Sequence, residues 1–154
     1  KTAYEIYQCD WSSDVCSSDL GGGGEQLTLR VVAEHADCSN FGGKPDEWAR
    51  KREILKGHCA AVGRDESEIR KTWSPEVFIR STEAELAQRT KGGLWGDSVE
   101  NWRDNNLVGT PEQVSEKIAQ YVELGCTGFI PWCADYPDTE TLELLATRVM
   151  PNFR

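Results

Sequence analysis

An α/β architecture built on parallel strands is predicted by three features of this 154-residue chain. Short apolar runs of strand type (ADCSNF, KTWSPEVFI and TGFIPWC) alternate with longer stretches of helical period. Helix start and stop residues sit at the joints: Pro45 and Pro111 at first helical positions, Gly63 and Gly125 just past the ends. The strand-type runs are joined by helices, the arrangement of βαβ units with right-handed crossovers. A doubly wound sheet and a (β/α)8 TIM barrel both satisfy this pattern. A full barrel needs about 250 residues, so this chain has room for about half of one.

In chain order, the pattern starts at residues 21–30, GGGGEQLTLR. Four glycines free the backbone from side-chain obstruction and permit positive φ. Glu25 then opens an apolar run (Leu27, Leu29, Val31, Val32, Ala33, Ala36) that reads as a mostly buried helix. A glycine turn feeding a helix N-terminus can bind an anion, because unpaired N–H groups converge where the helix dipole is positive. A flexible linker is the alternative for the same four letters.

ADCSNF follows as a short buried strand closed by Asn40, Gly42 and Gly43, and Pro45 opens a helix whose inner face is Trp48, Leu55, Cys59 and Val62. KTWSPEVFI is the next strand, with Pro75 marking an edge or bulge because proline donates nothing to a ladder. EAELAQR is a short helix. From residue 81 to 108 the pattern otherwise loosens, as in a lid or excursion. Thr110 and Gln113 form a capping box for a helix with Val114, Ile118 and Val122 on its buried stripe. After TGFIPWC, a last helix turns Leu142, Leu145 and Val149 inward and stops at Pro151.

Residues 1–20, KTAYEIYQCDWSSDVCSSDL, carry no basic-then-apolar leader. KTAYEI and DWSSDVCSSDL resemble one reading frame of a common sequencing-library adapter, with YQC in the place of a barcode. The resemblance makes this stretch a non-native tail, expected to be disordered, with the natural chain cut just before Gly21. The tail accounts for −3 of the net charge of −9, leaving −6 on 134 residues. An acidic chain without a basic stripe is a poor partner for nucleic acid or an anionic membrane, and no apolar run reaches transmembrane length. Cys38, Cys59, Cys126 and Cys133 show no metal-type spacing and read as free thiols suited to a reducing cytosol.

The segments GGGGEQLTLRVVAEHADCSNF, VGTPEQVSEKIAQYVELGCTGFIPW and DYPDTETLELLATRVMP, in this order and spacing, resemble the luciferase-like monooxygenase family. The likeness is nearest to its branch dependent on the deazaflavin coenzyme F420, and runs from residue 21 to 154. It implies the C-terminal half of a (β/α)8 TIM barrel, from the end of the fifth strand through the last helix. It also implies F420 as cofactor, FMN as runner-up, and a small-molecule substrate. In this likeness Gly22, Gly23, Gly24, Glu25 and Thr28 are the cofactor-binding set: backbone N–H groups and the Thr28 hydroxyl would meet a phosphate. The Glu25 carboxylate would repel that phosphate and is expected to turn away or pair elsewhere. Acid/base residues of such enzymes come largely from the first half of the barrel, so no catalytic residue is assigned here.

Other candidates have simpler structural accounts. Asn40 and Trp132 fall near strand C-termini, where barrel sites are built, but packing or turn capping explains both. His35 and His58 lie on helices without a ligand partner at metal spacing. Asp135 and Asp138 bracket a Tyr-Pro turn, with Asp138 suited to an N-cap, while Trp95 and Trp102 lie in the loose stretch. A P-loop is excluded because no GK[ST] follows the glycines. The competing function is a non-catalytic α/β binding module with GGGG as its linker. A half-barrel has open strand edges and an uncovered apolar face, so self-association into a homo-oligomer is expected.

Overall fold

The computed structural model describes residues 18–91 and 98–153. Strand β1 (Asp19–Gly21) is followed by α1 (Thr28–His35), β2 (Cys38–Asn40) and α2 (Pro45–Val62). Next come β3 (Arg70–Trp73), β4 (Glu76–Ile79), α3 (Glu83–Arg89), α4 (Val99–Asn105) and β5 (Leu107–Gly109). Helix α5 (Pro111–Glu123) leads to β6 (Gly128–Phe129) and β7 (Trp132–Cys133), and α6 (Glu140–Leu144) runs on through a π-turn to Val149 and a 3-10 turn to Phe153. All pairings are parallel. One sheet has the order β1-β2-β3-β6 and a second has β5-β4-β7.

Register divides the first sheet into two faces. Phe41 and Trp73 point to the helices, where Trp73 stacks on Tyr121 with ring centroids 4.0 Å apart and Phe41 meets Trp48 at 4.9 Å. Leu29, Val32, Ala33, Leu55 and Val114 complete this core. The opposite face is lined by Cys38, Asn40 and Thr72, with Asn40 Nδ2 donating to Thr72 Oγ1 at 2.9 Å. A barrel has this arrangement: helices outside, a lumen within.

Local signals in the sequence settle most helix ends. Thr82 with Glu85, and Thr110 with Gln113, form complete capping boxes, and Gly63 closes α2 at φ 74°. Several expectations need correction. The run at residues 25–36 is not helical throughout: residues 25–27 form a turn, and α1 is amphipathic, with Leu27 and Val31 exposed. Val62, Val122 and Leu142 are likewise exposed, and Tyr121 and Thr141 take inward positions on their helices. The run KTWSPEVFI breaks at residues 74–75, as does TGFIPWC at residues 130–131, because proline withholds a ladder donor in each. The loose stretch contains a strand, Leu107–Gly109, paired with β4.

Residues 18–20 also depart from expectation. The sequence predicts disorder here, yet Asp19 and Leu20 pair with Cys38 and Ser39, and Ser18 O accepts from the Asp37 and Cys38 N–H groups. A backbone ladder requires N–H and C=O groups in extended geometry whatever the side chains, so residues of any origin can fill it. The rest of the tail lies outside the described residues.

Two predictions follow from this architecture. A chain beginning at Ser18 is expected to be more stable than one beginning at Gly21 by about 1–3 kcal/mol, the worth of a few net backbone hydrogen bonds. Urea denaturation of the two truncations measures the difference. The second concerns Glu66, nearly buried, whose carboxylate lies 2.7 Å from Lys71 Nζ and 3.1 Å from Arg52 Nε. Burial pushes this carboxyl upward, but the bonds from Lys71 and Arg52 prevail and hold it below the usual range. With its folded pKa below its unfolded value, its contribution is complete above the unfolded value and is lost as pH falls through the folded one. Glu66→Gln is therefore expected to cost about 1–3 kcal/mol at neutral pH, and denaturation at stepped pH should show the gap closing below about pH 4.3.

Candidate functional site

Parallel pairing carries the C-terminal ends of the strands to one side of the sheet. Gly21, Asn40, Thr72 and Gly128 lie side by side in a single rung. The glycine turn leaves the first of these strands. Gly22 adopts φ 125°, which favours glycine, and its N–H donates to Asn40 O at 2.8 Å. Gly24 O accepts from Leu29 N at 3.0 Å, fixing the turn to the first turn of α1. The N–H groups of Gly23 and Gly24 meet no acceptor among the described residues.

Two side chains flank these open donors. A Cβ on Gly24 would lie 2.7 Å from Thr28 Oγ1, and one on Gly23 would lie 2.9 Å from Lys51 Nζ. Lys51 projects from α2, is almost buried, and is held by Gly42 O at 2.7 Å and Glu47 at 2.9 Å. Its ammonium therefore stands beside the glycine turn while bonded to the loop after β2. Tyr121 anchors the same loop, donating its hydroxyl to Gly43 O at 2.7 Å; burial pushes its pKa up, keeping it a donor. The Glu25 carboxylate is directed to Arg50, 2.5 Å away, and Glu25 O contacts His58 Nε2 at 2.8 Å. The result is a turn with two free N–H groups, a hydroxyl and an ammonium close by, a donor set suited to an anion.

On the lumen side Asn40 is spent on the hydroxyls of Thr72 and Ser74, both at 2.9 Å. This network joins the ends of β2 and β3 and explains Asn40 as an architectural residue.

The fold is half of a (β/α)8 barrel. Solved TIM-barrel enzymes match it over most of this chain and half or less of their own. The F420-dependent tetrahydromethanopterin reductase of Methanopyrus kandleri aligns with a TM-score of 0.71 and 16% identity, covering 88% of this chain and 50% of that one. An F420-dependent secondary alcohol dehydrogenase, solved with an F420–acetone adduct, aligns at 0.74 with 11% identity, covering 92% and 50%. A riboflavin lyase solved with modified FMN and riboflavin aligns at 0.70 with 16% identity, covering 87% and 42%. At these identities the likeness is one of fold. No family model and no curated protein matches the sequence.

The remaining candidates take structural places. Trp132 is 68% exposed at an open strand end. Trp102 is buried against Phe78, with its indole N–H on the Glu76 carboxylate, and Trp95 lies outside the described residues. Asp138 accepts from Glu140 N and pairs with Arg89. His35 is exposed beside Glu34. Among the described residues no cluster of His, Cys, Asp or Glu is placed to hold a metal, and no helix is long and apolar enough to cross a membrane. The four cysteines outside the tail are free; three are buried.

Sequence analysis missed both Lys51 and Arg80. Arg80, 2% exposed beyond β4, donates to Ile79 O (2.6 Å), Asp135 Oδ2 (3.1 Å) and Thr141 Oγ1 (3.0 Å), with Glu140 3.2 Å from its Nε. Its guanidinium lies 4.1 Å from the centre of the Phe78 ring. The pair locks the ends of β4 and β7 to the start of α6. Arg80→Met would strand a buried Asp135 charge and is expected to cost about 3–5 kcal/mol, measured by urea denaturation at neutral pH.

Proposed function

We propose that this chain is the C-terminal half of a flavin- or deazaflavin-dependent oxidoreductase of luciferase-like type, with the glycine turn as its cofactor phosphate site. One observation carries the reading: Gly23 and Gly24 present free N–H groups at the head of α1, between Thr28 Oγ1 and Lys51 Nζ. These residues fit a phosphate monoanion or dianion. Gly23 and Gly24 would donate from the backbone, Thr28 from its hydroxyl, and Lys51 would supply charge. Gly22 shapes the turn, since its own N–H is spent on Asn40. Glu25 takes part through its backbone, its carboxylate being paired with Arg50. The hydrogen bonds of Gly22 and Gly24 favour this reading over a linker.

F420 is the first choice and FMN the second, on the strength of structural neighbours solved or named with each. When bound, the cofactor ring supplies the hydride chemistry on a small organic substrate. This chain's residues hold and orient the cofactor, and acid/base groups would come from the other half of a complete barrel. A cytoplasmic setting suits its free thiols.

The test requires a complete barrel, made by joining residues 18–154 to the N-terminal half of a solved relative. Gly23→Val should force the turn open against Lys51, and Thr28→Val should remove a hydroxyl donor. Each is expected to weaken F420 or FMN by about ten- to a hundred-fold, the worth of one hydrogen bond to a charged group. A cofactor analogue lacking the phosphate should bind mutant and parent equally. Equal loss of that analogue would make the turn a support of the fold only, and a parent barrel that binds neither cofactor would favour the non-catalytic module.

A further inference from the structure

Both ends of the parallel sheet are open among the described residues. Strand β1 pairs only with β2, β6 only with β3, and β7 only with β4. Large apolar side chains stand exposed beside each edge. Near β6 and β7 these are Ile130 and Trp132, together with Met150 and Phe153, which with Phe129 and Pro131 line an apolar groove of about 830 Å³. Beside β1 they are Leu27, 78% exposed, and Val31. The lumen face adds charges of both signs. Register places Asp19, Cys38 and Arg70 in one rung of that face. Asp19 and Arg70 are exposed and two strands apart, about 10 Å, and neither forms an ion pair among the described residues.

We propose that this surface binds a second copy of the same chain, and that two copies close an eight-stranded parallel barrel about a two-fold axis. β1 of each copy extends the β6–β7 edge of the other, so one self-complementary contact, made twice, pairs the open edges of β1, β6 and β7. Four strands are half the number that closes into a packed barrel. The closed lumen then holds two Asp19 and two Arg70 side chains and is neutral as a whole, each residue lying across the two-fold axis from its own copy. The same closure brings the apolar side chains beside β1 of one copy to the apolar groove of the other. A partner lacking strands could cover the groove but would leave the edge N–H and C=O groups unpaired. This inference is independent of cofactor binding.

Light scattering on the full chain, across a micromolar dilution series, is expected to show a species of about twice 17.2 kDa that dissociates on dilution. Trp132→Lys and Leu27→Lys alter exposed side chains on opposite edges. Each is expected to weaken the dimer at least about tenfold, with helix content by circular dichroism unchanged. Arg70→Glu is expected to weaken it as well, and adding Asp19→Lys should restore it by re-establishing a neutral lumen. A monomer with a sharp cooperative melt would mean the chain covers its own edges, and would overturn the proposal. So would an open-ended series of larger assemblies, or a dimer indifferent to both lysine substitutions.

Discussion

The in-register parallel ladder through Gly21, Asn40, Thr72 and Gly128 is the constraint on which the rest depends. Parallel strands require crossovers, and the crossovers here are helices that must all lie on one face. That face is where Trp73, Tyr121, Trp48 and Phe41 make their ring contacts. The opposite face is freed from the apolar demand and carries Asn40, Thr72 and Cys38 joined by polar contacts. Because every strand points the same way, the loops after β1 and β2 emerge together, and their neighbourhood is a consequence of pairing.

Lys51 makes use of that neighbourhood. Its ammonium reaches Gly42 O from α2 and stops within contact of the Gly23 position, so one side chain spans two loops. A side chain at Gly23 would collide with it, and one at Gly24 with Thr28. Gly22 is required by the bend itself, at φ 125°, while a side chain at Gly23 or Gly24 would have to displace the Lys51 or Thr28 side chain. Arg50 compensates the Glu25 carboxylate, while the Glu47 carboxylate stays paired with Lys51 beside the turn.

Pro75 and Pro131 set the shape of the other end. Each interrupts a run that would otherwise continue one strand, so the chain passes from the first sheet into the second at both places. Pairing resumes with β5, and Asn106 Oδ1 accepts from Glu76 N at 2.9 Å where the ladder restarts. Arg80 and Asp135, both almost wholly buried, then fasten the second sheet to α6.

Features that depend on residues near in sequence were legible without the structure. The capping box of Thr110 and Gln113, the left-handed Gly63 and the parallel α/β class follow from hydrogen bonds and periods spanning a few residues. Which side of a helix is buried was legible only in part, because Val62, Val122 and Leu142 are apolar but lie where no neighbouring element covers them. The strand at Leu107–Gly109 is three residues long and exists through its partner β4, so no local signal marks it. Lys51 beside Gly23 and Arg80 against Asp135 are contacts across 28 and 55 positions of sequence. The sequence by itself determined the fold class and the helix ends, since those are local energies. Only the tertiary structure decided which strands remain open and which cation stands at the glycine turn, since those depend on packing between distant segments.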